Sequence, residues 1–141
     1  MTELSRALFL LGAVPFVGLG VAHALATPLR LTDRRGLSPA DPELAKRMSE
    51  TRVRLTGRTD MWLAWVGFNL SHSLGALLFG AVVVMIGWSQ ASFVQQGRHF
   101  VPFAAVGASL YLWLGTKYWF RTPIVGCAFS AACFVVSWLT L

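Results

Sequence analysis

Four runs of this chain, residues 7–29, 61–87, 101–120 and 124–141, are almost free of ions, while eight of the twelve basic residues lie between Arg30 and Arg58. No water is available inside a bilayer to satisfy a backbone N–H or C=O, so an apolar run that crosses it must be a helix or part of a closed barrel. The first run, at 1.5 Å per residue, reaches ~34 Å, enough to cross a hydrocarbon core of about 30 Å. A soluble domain is about 25% charged; this chain is 13% charged and 55% hydrophobic. At 141 residues it reads as one domain. The predicted fold is all-α: a polytopic four-transmembrane-helix bundle.

Ala24-Leu25-Ala26 imitates a signal-peptide cleavage motif. The run is long for such a segment, however, holds Pro15 and His23, and is followed by Arg30, Arg34 and Arg35. It therefore reads as a retained first span. In the connection that follows (30–60), Asp41-Pro42-Glu43 is a helix start: a capping side chain, a proline at the first helical position and an acid in the first turn. Leu44, Met48, Thr51 and Leu55 share a stripe from there, Glu43–Arg47 and Glu50–Arg54 are spaced as ion pairs, and Gly57 supplies a stop. The segment predicts a short amphipathic helix at the cytoplasmic membrane surface, facing anionic lipid.

Thr59 or Asp60 caps the second span (61–87), which Trp62 and Trp65 mark at one interface and Trp88 at the other. Residues 89–100, with Arg98 and His99, read as a polar turn. The third span (101–120) opens with Pro102 in its first turn and closes with Lys117 and Arg121 at headgroup level, and Thr122-Pro123 turns into the fourth (124–141). This arrangement puts Arg30, the basic connection, Lys117 and Arg121 on one side and only Arg6 and Arg98 on the other. Positive charge marks the cytoplasmic face, so both termini are expected outside and loop 30–60 inside, in the plasma (inner) membrane. Basic residues that flank apolar spans serve topology, and with no soluble basic face or nucleic-acid fold motif the net charge of +6 does not point to nucleic acid. Cys127 and Cys133 have no metal-binding or redox spacing and read as small apolar residues.

Lipid competes for apolar side chains, so helices associate through close contact of small residues. The spans offer Gly18/Ala22, Gly20/Ala24, Ser71/Gly75, Ala104/Ala108 and Gly126/Ser130, a pattern that accommodates a homo-oligomer or a larger membrane complex.

Polar side chains inside a span are functional-site candidates by default. His23 lies in the first span with Thr27 on its face; Asn69 and His72 are three residues apart in the second, with Trp65 one turn below. Three readings meet here. The residues bind helices together by hydrogen bonds; they orient the polar head of a lipophilic ligand such as a lipid, quinone or isoprenoid; or His23 and His72 are axial ligands of a b-type haem. A catalytic set lacks parts: all six acids lie in the N-terminal tail or the polar connection. Ser71 and Ser73, sequence neighbours of His72, point to other sides of the helix. No metal site is expected, and whether the chain is an enzyme stays open.

Four apolar helices with a long connection after the first resemble the DoxX-like class of small four-helix membrane proteins over most of the chain. The resemblance implies a membrane bundle and assigns no functional residue. The working expectation is a binding or accessory protein with a polar pocket between the first two spans around His23, Asn69, His72, Trp65 and Thr27. The alternatives are a membrane enzyme or redox protein acting on a lipophilic substrate, and a structural subunit.

Overall fold

The computed structural model describes residues 2–141, Gln90 by its backbone only. The described residues form five α-helices and no strand: α1 (Glu3–Ala26), α2 (Pro42–Glu50), α3 (Met61–Gly87), α4 (Gln90–Tyr118) and α5 (Arg121–Leu139). Three of them, α1, α3 and α5, are long and apolar enough to cross a membrane. α4 has the length but carries Arg98, His99 and Lys117 and is less apolar. The chain divides into two compact units, Met1–Leu19 with Ala76–Leu141, and Gly20–Gly75. α1 and α3 contribute residues to both.

The first unit is built on one aromatic core. Phe9, Ala13 and Phe16 of α1, Val83 and Ile86 of α3, Phe93, Val101 and Ala105 of α4, and Phe134 of α5 are buried together. The ring of Phe9 sits 5.5 Å from Phe93 and 5.7 Å from Phe134. α1 and α5 approach so closely that a Cβ on Gly12 would stand 2.5 Å from the Phe134 ring. Near the chain termini the same two helices are joined by a reciprocal serine pair: the Ser5 hydroxyl donates to the Ser137 carbonyl and the Ser137 hydroxyl to the Ser5 carbonyl, both at 2.8 Å. Both serines are fully buried, so each hydroxyl needs such an acceptor. Arg6 donates to the carbonyls of Gly87 and Trp88, which satisfies carbonyls that the end of α3 leaves without helical partners.

Residues 89–100 are not the polar turn expected from their composition. The chain reverses at Trp88-Ser89, and α4 begins at Gln90 with the Ser89 hydroxyl accepting from the Ser92 amide at 3.1 Å. Phe93, Gly97, Val101, Ala104 and Ala108 then make a continuous buried stripe, whose three- and four-residue spacing pulls Arg98 and His99 into helical register. Pro102 accordingly lies well inside α4. The next reversal falls at Trp119-Phe120, so Pro123 sits in the first turn of α5, where a missing N–H costs nothing. Lys117, expected at headgroup level, lies 4.6 Å over the Trp113 ring as a cation–π pair. The small-residue pairs divide. Ala104 and Ala108 are buried, while Gly18, Ala22, Ser71 and Gly75 face outward, and a Cβ on Gly18 or Gly75 would meet nothing within 4 Å.

In the second unit α1 ends at Ala26 because Pro28 disfavours helical backbone at Thr27. The chain folds back on the helix end: the Leu37 amide donates to the Ala26 carbonyl at 3.0 Å and Arg35 to the Leu25 carbonyl at 3.2 Å. The Asp33 carboxylate takes the amides of Leu29 and Arg30, and these two donors hold its carboxyl below the usual aspartate range. α2 starts as expected, Asp41 accepting from the Glu43 amide at 2.9 Å. It stops at Glu50, earlier than the apolar stripe implied, and Glu43 and Arg47 form no ion pair among the described residues. Thr51 leaves the helix in an extended conformation, and Arg52 bridges antiparallel to Asp60. The β-branched Thr51 and Val53 favour this extended turn over a further helical turn.

Candidate functional site

The polar residues of the second unit form a chain of hydrogen bonds. Asn69 is 3% exposed, and its amide nitrogen donates to the Trp65 carbonyl one turn below at 2.7 Å. That contact fixes which way the amide points and turns its oxygen to His23, whose Nε2 lies 2.9 Å away. An amide oxygen only accepts, so His23 carries its proton on Nε2, and in the neutral ring Nδ1 is left as an acceptor. The same Trp65 is held from its other end: its indole N–H donates to the Leu37 carbonyl at 3.3 Å. Loop, tryptophan, asparagine and histidine are thereby connected in series.

His72 completes the cluster. Its ring centroid lies 5.0 Å from that of His23 at an interplanar angle of 58°, and Phe68 stacks on it at 16° and 6.2 Å. Asn69 and His72 share a face of α3, as their spacing requires, and the packing of α1 against it in this unit brings His23 to both. His72 is half-buried and Phe68 is 66% exposed, so the cluster runs from a buried amide to an aromatic ring on the outside of α3.

Thr27 stands apart from the side chains it was grouped with. It is fully buried, and its hydroxyl donates at 2.8 Å to the backbone carbonyl of His23 four residues back, a bond internal to the end of α1. Ser71 and Ser73 likewise donate to carbonyls of their own helix, at Phe68 and Asn69. Neither hydroxyl is placed for activation by His72. Phe68 is the member that the polar residues alone did not single out; the signal was available, since it lies four residues before His72.

The geometry fits a hydrogen-bonding site better than a haem site. Imidazoles that ligate one metal ion on opposite sides do so through nitrogens about 2 Å from it each, hence about 4 Å apart, with the rings pointing away from one another. Here the centroids themselves are only 5.0 Å apart, and Nε2 of His23 is held by Asn69. No macrocycle fits between rings so placed.

No family model, curated protein or solved structure matches this chain.

Proposed function

We propose that this chain is a small integral protein of the plasma membrane that binds a lipophilic ligand at His23, Asn69 and His72. In this reading α4 crosses the bilayer along with the three more apolar helices, both termini lie outside and loop 30–60 lies in the cytoplasm. The charge distribution supports the orientation, since the basic residues gather at the ends of the helices that this assignment places inside. A membrane-impermeant thiol reagent added from outside should therefore leave Met48→Cys unlabelled in intact cells and label it after permeabilisation. Labelling in intact cells would overturn the orientation.

The observation that carries the binding reading is the oriented polar series from Asn69 through His23 to a half-buried His72 roofed by an exposed aromatic ring. A site of this kind presents few polar groups in fixed directions beside apolar surface, the usual composition of a ligand site. The imidazoles would meet a hydroxyl or carbonyl head, and Phe68 the start of an apolar tail. A quinone, an isoprenoid alcohol and a lipid all have that form.

Native mass spectrometry of the protein released from mild detergent tests this. A discrete added mass that survives activation, and that is lost in His72→Leu while the variant remains folded, is the expected result. Retention of the mass in the variant would refute the assignment.

A second reading, a structural subunit docked on another membrane helix, is favoured by Gly67, Ser71 and Gly75. These repeat every four residues on the exposed side of α3, and a Cβ on either glycine would meet nothing within 4 Å. Such a stripe allows close approach of a second helix. Bare protomer multiples in the same spectrum would support it.

A further inference from the structure

The most exposed large apolar side chain among the described residues is on neither α3 nor α5 but at the tip of a short connection. Leu55 is 94% exposed. It is held there by a closed turn: the Met61 amide donates to the Thr51 carbonyl at 2.9 Å, Val53 to Thr59 at 3.2 Å and Thr56 to Val53 at 3.1 Å. Arg52 and Asp60 form the antiparallel bridge at its base, and the Thr56 hydroxyl accepts from the Arg58 amide at 3.2 Å. Leu55 is thus presented by an ordered frame, with Arg52, Arg54 and Arg58 around it and no acid from Thr51 to Thr59. The three guanidinium groups are exposed and form no ion pair among the described residues. The nearest carboxylate on the α3 side, Asp60, is used to cap that helix through the Leu63 amide at 2.8 Å.

An apolar tip within a basic collar is complementary to an anionic lipid surface: the guanidinium groups pair with phosphates while the leucine enters the acyl boundary beneath them. The reach agrees. Five residue steps lead from Leu55 to Asp60, at most about 17 Å, and α3 begins at the next residue. If α3 spans the bilayer, its loop tip is within reach of the headgroup layer. We propose that the turn formed by Thr51–Met61 is an interfacial anchor that docks on anionic phospholipid headgroups of the leaflet from which α3 departs. This rests on the membrane reading of α3 but not on the ligand at His72.

The test places a nitroxide on Leu55→Cys in the full chain, reconstituted in bilayers of phosphatidylcholine with or without phosphatidylglycerol. Cys127 and Cys133 are buried, so the introduced thiol is the accessible one. In the anionic bilayer the label should collide with oxygen dissolved in lipid rather than with an aqueous nickel chelate. With Arg54→Gln and Arg58→Gln together the docked-to-free ratio should fall roughly 30-fold, from the loss of two arginine–headgroup attractions, and in phosphatidylcholine alone, where all three are lost, it should fall further. A label that stays aqueous in the anionic bilayer, or lipid-exposed whatever the charge, overturns the proposal. A second label at Leu74→Cys, midway along α3 and exposed, keeps the two readings separable. Lipid exposure there with an aqueous Leu55 label defeats the anchor alone; an aqueous Leu74 label defeats the membrane reading as well.

Discussion

Gly12→Ala is expected to destabilise the protein by about 1–3 kcal/mol, the usual cost of forcing a methyl group into a packed core, and so to lower its thermal midpoint in detergent. The added Cβ would stand 2.5 Å from Cε1 of Phe134 and 2.8 Å from two further ring atoms. The ring has nowhere to go. It is fully buried, with Phe9 at 5.7 Å and Phe79 at 6.1 Å. The comparison with Gly80 and Gly126 is informative: a Cβ there meets the end of Val17 or Leu19, at 2.6 Å in each case. The δ-methyl of leucine can shift with a rotamer, so alanine at Gly126 should cost less, whereas the β-branched Val17 is stiff at χ1 within α1 and keeps Gly80 closer to the case of Gly12. Phe134→Leu makes room for the methyl group and should recover part of the loss. The double variant should be less destabilised than the sum of the single ones, with a coupling of about 1 kcal/mol or more. Strict additivity would mean that α1 and α5 do not meet at this point.

The second large effect is at Asn69. Asn69→Leu keeps the bulk of the side chain and removes both of its hydrogen bonds, leaving the Nε2–H of His23 without its acceptor. Interhelical hydrogen bonds in membranes contribute roughly 0.6–2 kcal/mol, so a stability loss in that range is expected. The loss of ligand should be larger than the loss of fold, because a His23 ring released from Asn69 no longer has a fixed tautomer or direction. Nitrogen-15 spectra of labelled histidine would report this: a single Nε2–H form of His23 in the parent, and a tautomer mixture in Asn69→Leu. An unchanged His23 spectrum in the variant would show that Asn69 does not orient the ring. His72→Leu should leave that spectrum nearly intact, since His23 takes its direction from Asn69, and this separates the positioning role of Asn69 from the contact proposed for His72.

Much of the helix content is legible in the sequence. Met61–Gly87 is both the second apolar run and the extent of α3, and the Asp41-Pro42-Glu43 start of α2 is seen at the residues that spell it. Both signals are local. Apolar length and a capping side chain act within one turn or one helix, so reading along the chain finds them. The ends of elements were less legible where two local rules competed. Residues 89–100 are polar, which argues for a turn, but polarity reports the surroundings of a helix and not whether the backbone is helical. The buried stripe from Phe93 through Gly97 to Val101 was the better guide. At Thr51 an apolar stripe argued for more helix and β-branching against it, and the bridge from Arg52 to Asp60 settled the matter.

The site shows the same division. That Asn69 and His72 share a face follows from three-residue spacing on a helix, and that His23 is a polar group within an apolar run is plain from its neighbours. Which of the two His23 bonds does not follow. An imidazole in α1 reaches the amide or the second imidazole according to the rotation and offset of one helix on the other. These depend on contacts between segments far apart in sequence, such as the Trp65 indole on the Leu37 carbonyl and His23 on Asn69, whereas the Asn69–Trp65 bond lies within α3 and only aims the amide. The separation of Thr27 from the cluster has the same origin, a choice between a partner across helices and the carbonyl four residues back. The sequence by itself determined the helical class and the place of most helices, the concentration of charge between Arg30 and Arg58 and the polar residues available to a site, because each depends on neighbours within a few positions. Only the tertiary structure decided which of those residues touch and that Leu55 stands at a tip rather than on a helix, because both depend on contacts between segments that no local spacing encodes.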